Sequence, residues 1–278
     1  MKRIADTLHI SRSNQYARKT ARKERYKPKP EDVKYLLLIR QITDERPTYG
    51  YRRVTAFINR LLEEKKEPPV NHKRIYRIMR INRLLLPKHM GRPTRTHDGM
   101  VITLTSNMRW CSDVFQILCF NGEKIRVAFA MDTCDREILS YIATTGGVTS
   151  EMVKDLMVSS VEYRFGKIDK LPNKIQWLSD NGPCYTSRET ILFASMIGFE
   201  VCTTPYYTHE SNGMAEAFIK TFKRDYVSVH DLSDAKTVMA LLPLWFEDYN
   251  NYHPHKGLKM RSPREFMMMQ NKLERCPV

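Results

Sequence analysis

After residue 108 three β-rich runs follow one another with only short breaks: RWCSDVFQILCF from Arg109, KIRVAFAMDT from Lys124 and EILSYIATT from Glu137. Asn121-Gly122, in the first break, is a tight-turn dipeptide, so the three runs predict an antiparallel meander. Helix and strand alternate from there. TSEMVKDLMVSSVEYRF reads as a helix with Thr149 or Ser150 as its cap, and KIQWLSD as a short, buried type of strand. The next helix runs through residues 187–197, with Thr186 and Glu189 spaced as a capping box and Gly198 as its stop. FEVCTTP is a fifth strand; a loop to Gly213, a helix carrying Glu216 and a longer helix over residues 234–251 complete the run. This order predicts an α/β domain built on a mixed five-stranded sheet flanked by helices.

Upstream the pattern is helical. VKYLLLIRQITDERPTYGYRRVTAFINRLLEE gives a helix, a turn with Pro and Gly, and a second helix. In VNHKRIYRIMRINRLLL, Ile75, Ile78 and Met79 make an apolar stripe behind an Asn71 cap, while Lys73, Arg77 and Arg80 fall at i, i+4 and i+7 on another face. A helix lying in a DNA groove needs this division, so Lys73, Arg77 and Arg80, with Arg74 beside them, are expected to contact DNA. The plainer alternative is an amphipathic surface helix. Residues 2–20 read as two short helices like the later part of a helix-turn-helix, and KERYKPKPED (23–32) as a linker. The expected boundaries are a partial, basic helix-turn-helix-like segment at 1–26, a helical DNA-binding domain at 27–90, a basic linker at 91–107, the α/β core at 108–270 and a tail at 271–278.

Charge follows the same division. Residues 1–100 hold 26 Lys and Arg against 10 Asp and Glu, leaving 20 against 21 in the remainder, so the net charge of +15 resides in the front end. That distribution suits a polyanion-binding unit joined to a near-neutral body, with a solubility role as the alternative. The six cysteines, Cys111, Cys119, Cys134, Cys184, Cys202 and Cys276, form no CxxC pair, which argues against a zinc finger or a disulfide framework and for a reducing, cytoplasmic setting. No apolar run is long enough to span a bilayer, so no membrane association is expected, and MKRIADTLHISRS lacks a signal-peptide stretch.

Three acids stand where this order of elements would gather them. Asp113 lies in the first strand, Asp180 ends the fourth and Glu216 opens the helix after the fifth. Carboxylates brought together repel unless a cation neutralises them, and oxygen donors without His or Cys suit Mg²⁺ or Mn²⁺. Two such ions about 3.5–4 Å apart would serve an in-line displacement at phosphorus. Asn181-Gly182 gives a tight turn where the backbone and Tyr185 approach a substrate strand. Lys220 and Lys223 continue along the Glu216 face of a helix whose packed stripe is Ala215, Ile219, Phe222 and Tyr226. Asp132, Asp135, Glu210 and Asp225 are competing acids, and spacing alone does not choose among them.

Asp113, Asp180 and Glu216, with 35 residues between the last two, resemble the acidic triad of the DDE recombinases. RWCSDVF, WLSDNGPCY, ESNGMAEAFIKTFKRDY and YHPHKGLKMRSPREF together resemble the second-reading-frame (OrfB) transposases of the insertion-sequence-three family, in the branch around insertion sequence two. TYGYRRV and NHKRIYRIMR are similar to the DNA-binding helices that precede that family's core. The resemblance covers nearly the whole chain. It implies a ribonuclease-H-like, retroviral-integrase-like core in which Asp113, Asp180 and Glu216 are catalytic and bind two metal ions. It further implies strand cleavage and strand transfer at the ends of an insertion element, with Lys223 contacting DNA near the cut. Its implied partners are double-stranded DNA (terminal repeats and target), further copies of the chain assembled on that DNA, and an upstream-frame (OrfA) protein. Its setting is the bacterial cytoplasm, associated with the nucleoid when bound. Three departures stand out: no His/Cys zinc module precedes the core, His209 replaces a frequent proline, and the arginine frequent near His253 is absent. A non-catalytic DNA-binding regulator, or a transposase fragment needing its upstream-frame partner, is the alternative.

Overall fold

The computed structural model describes residues 29–87, 103–203 and 212–274. The helix-turn-helix-like segment, most of the basic linker, His209, Glu210 and the last residues of the tail lie outside them. Helices α1 (Asp32–Glu45), α2 (Tyr51–Glu64) and α3 (His72–Ile81) form the front unit. Each contributes an apolar stripe: Ile39 and Ile42, then Val54, Ile58 and Leu62, then Ile75, Ile78 and Met79 enclose one core with Tyr49. Each fully buried side chain of this kind contributes about 1.5–3 kcal/mol. Asn71 caps α3 by accepting from the Lys73 amide at 2.9 Å. Helix α1 starts inside the stretch that reads as linker, because Asp32 accepts both from the Lys29 amide (3.0 Å) and from Arg74 Nε (2.7 Å).

The second unit is the mixed sheet. Strands β1 (Arg109–Leu118), β2 (Lys124–Asp132), β3 (Ile138–Thr144), β4 (Ile175–Ser179) and β5 (Phe199–Thr203) pair in the order β3-β2-β1-β4-β5. The first three form the antiparallel meander, and β4 runs parallel to both β1 and β5. Parallel neighbours need crossovers. Helix α4 (Ser150–Phe165) supplies the first, and α5 (Pro183–Thr186) with α6 (Arg188–Ile197) the second. Helices α7 (Gly213–Asp225), α8 (Ala235–Tyr252) and α9 (Pro263–Glu274) follow. Both faces of the sheet are apolar, with strict alternation. In β1 and β2, Cys111, Phe115, Ile117, Ile125, Val127 and Phe129 pack under α7 and α8, while Trp110, Ala128 and Ala130 pack under α4 and α6.

Thr149 and Gly198 cap as the sequence predicts, Thr149 accepting from Met152 N and Gly198 adopting φ +109°. The α6 cap is Ser187 rather than Thr186. The short α5 absorbs Thr186, whose hydroxyl donates to Gly182 O, and leaves Ser187 Oγ to accept from Thr190 N. Phe218, absent from the expected α7 stripe, is buried at its centre, 4.5 Å from Phe129 between ring centroids.

The front unit docks on the core through polar anchors. Arg46 grips Asp248 through two bonds (2.6 and 2.8 Å), Thr48 and Arg53 reach Asp225 (2.7 and 2.8 Å), and Arg60 reaches Glu265 (2.6 Å). Several arginines of the basic front end therefore neutralise acids of the core. Among the described residues the cysteines are free, and no helix is long and apolar enough to cross a membrane.

Candidate active site

Sheet register brings the first two acids together. β1 and β4 pair as Arg109↔Gln176, Trp110↔Trp177 and Cys111↔Leu178; carried two residues further, the same register sets Asp113 beside Asp180. Parity gives the face. Cys111, Phe115 and Leu178 all belong to the core beneath α7 and α8, so Asp113 and Asp180 lie on the side that α7 covers.

Asn212 brings in the third. Its side-chain Nδ2 donates to the Ser112 carbonyl at 3.1 Å, which ties the start of α7 to the strand one residue before Asp113. Ala215, Phe218 and Phe222 then press α7 onto the sheet, and Phe129, beneath Phe218, is the β2 residue opposite Asp113. Glu216 sits in the first turn of α7 and is exposed, as are Lys220 and Lys223. Lys223 Nζ lies 5.9 Å from the ring of Phe115.

Electrostatics registers the gathering. Burial pushes the Asp113 carboxyl up to about 6; the Val114 amide, at 2.7 Å, pulls it down, and Asp180 and Glu216 both push it further up. Among the described residues no lysine or arginine forms an ion pair with any of the three. Nor do any three His, Cys, Asp or Glu side chains among the described residues close to ligand distance around one point. The donors are oxygens only, which fits a hard divalent cation, and the repulsion at Asp113 is what such a cation would relieve. Asp180 Oδ1 accepts from the Gly182 amide at 3.0 Å, and a Cβ at Gly182 would lie 3.0 Å from that oxygen, so the turn is shaped for glycine.

Other residues expected at the DNA surface divide. Lys73, Arg77 and Arg80 are exposed, opposite the buried Ile75, Ile78 and Met79, and Asn181 is half-buried in the turn after Asp180. Arg74 is not part of that face. It pairs with Asp32 (2.7 Å) and Glu31 (3.1 Å) and covers the ring of Tyr35. Tyr185 is 2% exposed, with its hydroxyl 2.7 Å from Ser112 Oγ, and it packs against the α4 and α6 side of the sheet. It steadies β1 beside Asp113 rather than meeting a strand from solvent. Asn212, Ser112 and Tyr185 thus form a support that spacing did not reveal; the Ser-Asn-Gly before α7 was its one visible signal.

The competing acids among the described residues have structural partners. Asp132 and Asp135 are fully buried, and Arg164 lies 3.1 Å from Asp135 and 3.2 Å from Glu137. Arg264 reaches Glu137 at 3.2 Å and also holds Glu247. Asp225 is the docking acid of the front unit. His253 is buried, and its Nδ1 meets the Tyr49 hydroxyl at 3.0 Å.

With this geometry in place, three family profiles match the chain: an HTH-like domain over residues 30–90 and an integrase core domain over residues 105–209 and again over 198–263. The chain is 48% identical over 239 residues to the transposase InsD for insertion element IS2A/D/F/H/I/K of Escherichia coli, covering 85% of this chain and 79% of that one. The chain belongs to the IS2-type insertion-element transposases. A second relative, InsD for IS2-9 of E. coli strain K12, shows the same 48% identity, over 85% of this chain and 78% of its own. The chain is also similar to a simian T-cell lymphotropic virus intasome in complex with PP2A regulatory subunit B56 gamma (16% identity, TM-score 0.47, 82% of this chain and 73% of that one). A further likeness is to the catalytic core domain of BIV integrase (17% identity, TM-score 0.44, 61% and 99%). Within this transposase family the mixed sheet with its flanking helices is the integrase core, and α1–α3 are the HTH-like unit.

Proposed function

We propose that this transposase is a DDE-type, metal-dependent polynucleotidyl transferase, with Asp113, Asp180 and Glu216 holding two Mg²⁺ or Mn²⁺ ions. One observation supports the reading: Asp180 and Glu216, from distant parts of the chain, lie near enough to Asp113 to push its carboxyl up, and among the described residues no cation pairs with any of the three. The chemistry that bound ions supply there is Lewis-acid activation of an attacking hydroxyl and relief of charge on the leaving oxygen.

The residues of the chain hold the DNA for that chemistry. Lys220 and Lys223 lie along the exposed face of α7 that Glu216 begins, where they would grip the phosphates flanking the reacting one. The Asn181-Gly182 turn lets backbone approach the strand, and Lys73, Arg77 and Arg80 track the duplex from α3. Water attacks a phosphodiester at the element end, and the P–O bond to the freed 3′-hydroxyl breaks. That hydroxyl then attacks a phosphodiester of the target, forming one P–O bond as another breaks. Further copies of the chain on the same DNA, and an upstream-frame protein, are the proposed partners.

The test is Mg²⁺-dependent cleavage and joining of labelled terminal-repeat DNA by the native chain and by Asp113→Asn, Asp180→Asn and Glu216→Gln. Activity in the native chain with loss in each variant is expected. Joining that persists in all three variants removes the site assignment. Binding without cleavage by the native chain favours the regulator or fragment reading instead.

A further inference from the structure

A cleft of about 640 Å³ opens between the front unit and the core. One wall carries Arg52 and Asn59 of α2 and Asn71 and His72 at the start of α3; the other carries Thr221 of α7, Arg136 and the Pro254–Lys256 loop. Arg136 is the unusual member. It sits in the β2–β3 turn with φ +64° and lies next in sequence to Asp135 and Glu137, yet it pairs with neither, because Arg164 and Arg264 already hold those acids. Its Nε is buried without a hydrogen-bond partner, and among the described residues its guanidinium has no ion pair. Another half-buried arginine of the cleft, Arg53, is by contrast neutralised by Asp225.

The fold makes room for this cation. The guanidinium occupies the space that a side chain at position 257 would need: a Cβ on Gly257 would overlap Nη2 and lie 3.0 Å from Nη1. Burying a charge without a partner is unfavourable, so a half-buried, unpaired arginine facing an open cleft calls for an anion from outside. The surroundings add to the demand. Arg52 and Lys256 are exposed at the cleft, and the field of Arg136 helps burial hold His255 down to about 3, so that histidine stays neutral.

The anion's class follows from what borders the cleft. Exposed Lys73 follows His72 on one wall, and exposed Lys220 precedes Thr221 on the other. A polyanion lying across both units would cross the cleft on its way from α3 to the acid-bearing α7. We propose that Arg136, with Arg52 and Lys256, binds neighbouring backbone phosphates of duplex DNA in this cleft, outside the carboxylate site. This inference rests on the DNA-transposase reading above.

The test is fluorescence anisotropy of a labelled mixed-sequence duplex with the full chain, over a salt series. Arg136→Gln should weaken binding about tenfold and lower the log–log salt slope by about 0.9, the loss of one phosphate contact. Arg52→Ala/Lys256→Ala, at exposed positions, should lower the slope by up to about 1.8 and provides the readout should Arg136→Gln fail to fold. Unchanged affinity and slope in these variants, with a native chain that binds duplex, overturns the cleft site and leaves the transposase reading standing. A native chain that does not bind duplex at all overturns both.

Discussion

Two clusters of acids lie in this core, and they are neutralised in opposite ways. Asp132, Asp135 and Glu137 sit around the β2–β3 turn, buried, with Arg164 and Arg264 among them and backbone amides bonded to Asp132 and Asp135. Burial pushes Asp132 and Asp135 above the usual carboxylate range, Asp132 adds to the push on Asp135, and Arg164 offsets part of it at both. Asp113 in the middle of β1, Asp180 just past β4 and Glu216 in the first turn of α7 have no arginine or lysine paired to them among the described residues. The first cluster is complete as the chain folds. The second would be completed by the proposed divalent cations, a contrast that on this proposal separates an acid that braces a fold from one that serves a reaction.

Breaking either cluster should therefore produce a different kind of damage. The largest effect is on activity: Glu216→Gln should reduce strand cleavage by about a thousandfold or more, the rate equivalent of several kcal/mol of lost charge stabilisation. Circular dichroism melting should leave its Tm near that of the native chain. Arg164→Met should do the reverse, costing about 3–5 kcal/mol of stability in urea titrations because it strands buried carboxylates. Activity measured well below its melting temperature should survive. A normal urea midpoint for Arg164→Met would erase the distinction between the clusters.

Next in size is a pH effect. The folded carboxyl of Asp113, at about 6, lies above its ordinary value of 3.8, so the folded state holds that proton more tightly than the unfolded chain does. Its stability contribution is full below the ordinary value and is lost as pH rises through about 6. In chelator above pH ~7, Asp113→Asn should be more stable than the native chain by about 1–3 kcal/mol, and the gain should vanish in acid. A gain that is the same at every pH would mean that Asp113 titrates normally. The smallest effect is at Tyr185→Phe, which should cost about 0.5–1.5 kcal/mol through the lost Ser112 bond and leave duplex affinity unchanged. Weakened DNA binding at unaltered stability would return Tyr185 to the surface role that its sequence position suggests.

How much of this was legible in the sequence varies with the range of the interaction. Local signals were readable: the Asn71 and Thr149 caps, the Gly198 stop, the meander and the alternating strands each depend on residues a few positions apart. Side-chain fate was less so. Tyr185 follows Asp180 closely in a polar turn, yet α5 swings its ring under the sheet, a result of packing between elements far apart in the chain. Arg74 sits among the exposed cations of α3, but one step around the helix brings it to Asp32. The front-end charge reads as a uniform polyanion surface, whereas Arg46, Arg53 and Arg60 lie on the docking face and meet acids about two hundred residues away. Asp113 within the first strand, Asp180 at the end of the fourth and Glu216 at the start of a helix were candidates by position, and family resemblance chose them over the competing acids. Their convergence is a product of register and of the Asn212 tether.

The most direct measurement is anomalous diffraction from crystals of the full chain soaked in Mn²⁺. A manganese peak is expected between the Asp113 and Asp180 carboxylates, with Glu216 drawn into the same shell and no peak beside Asp132 and Asp135. Manganese at the buried cluster, or none within reach of Asp113 in crystals that bind it elsewhere, would contradict it.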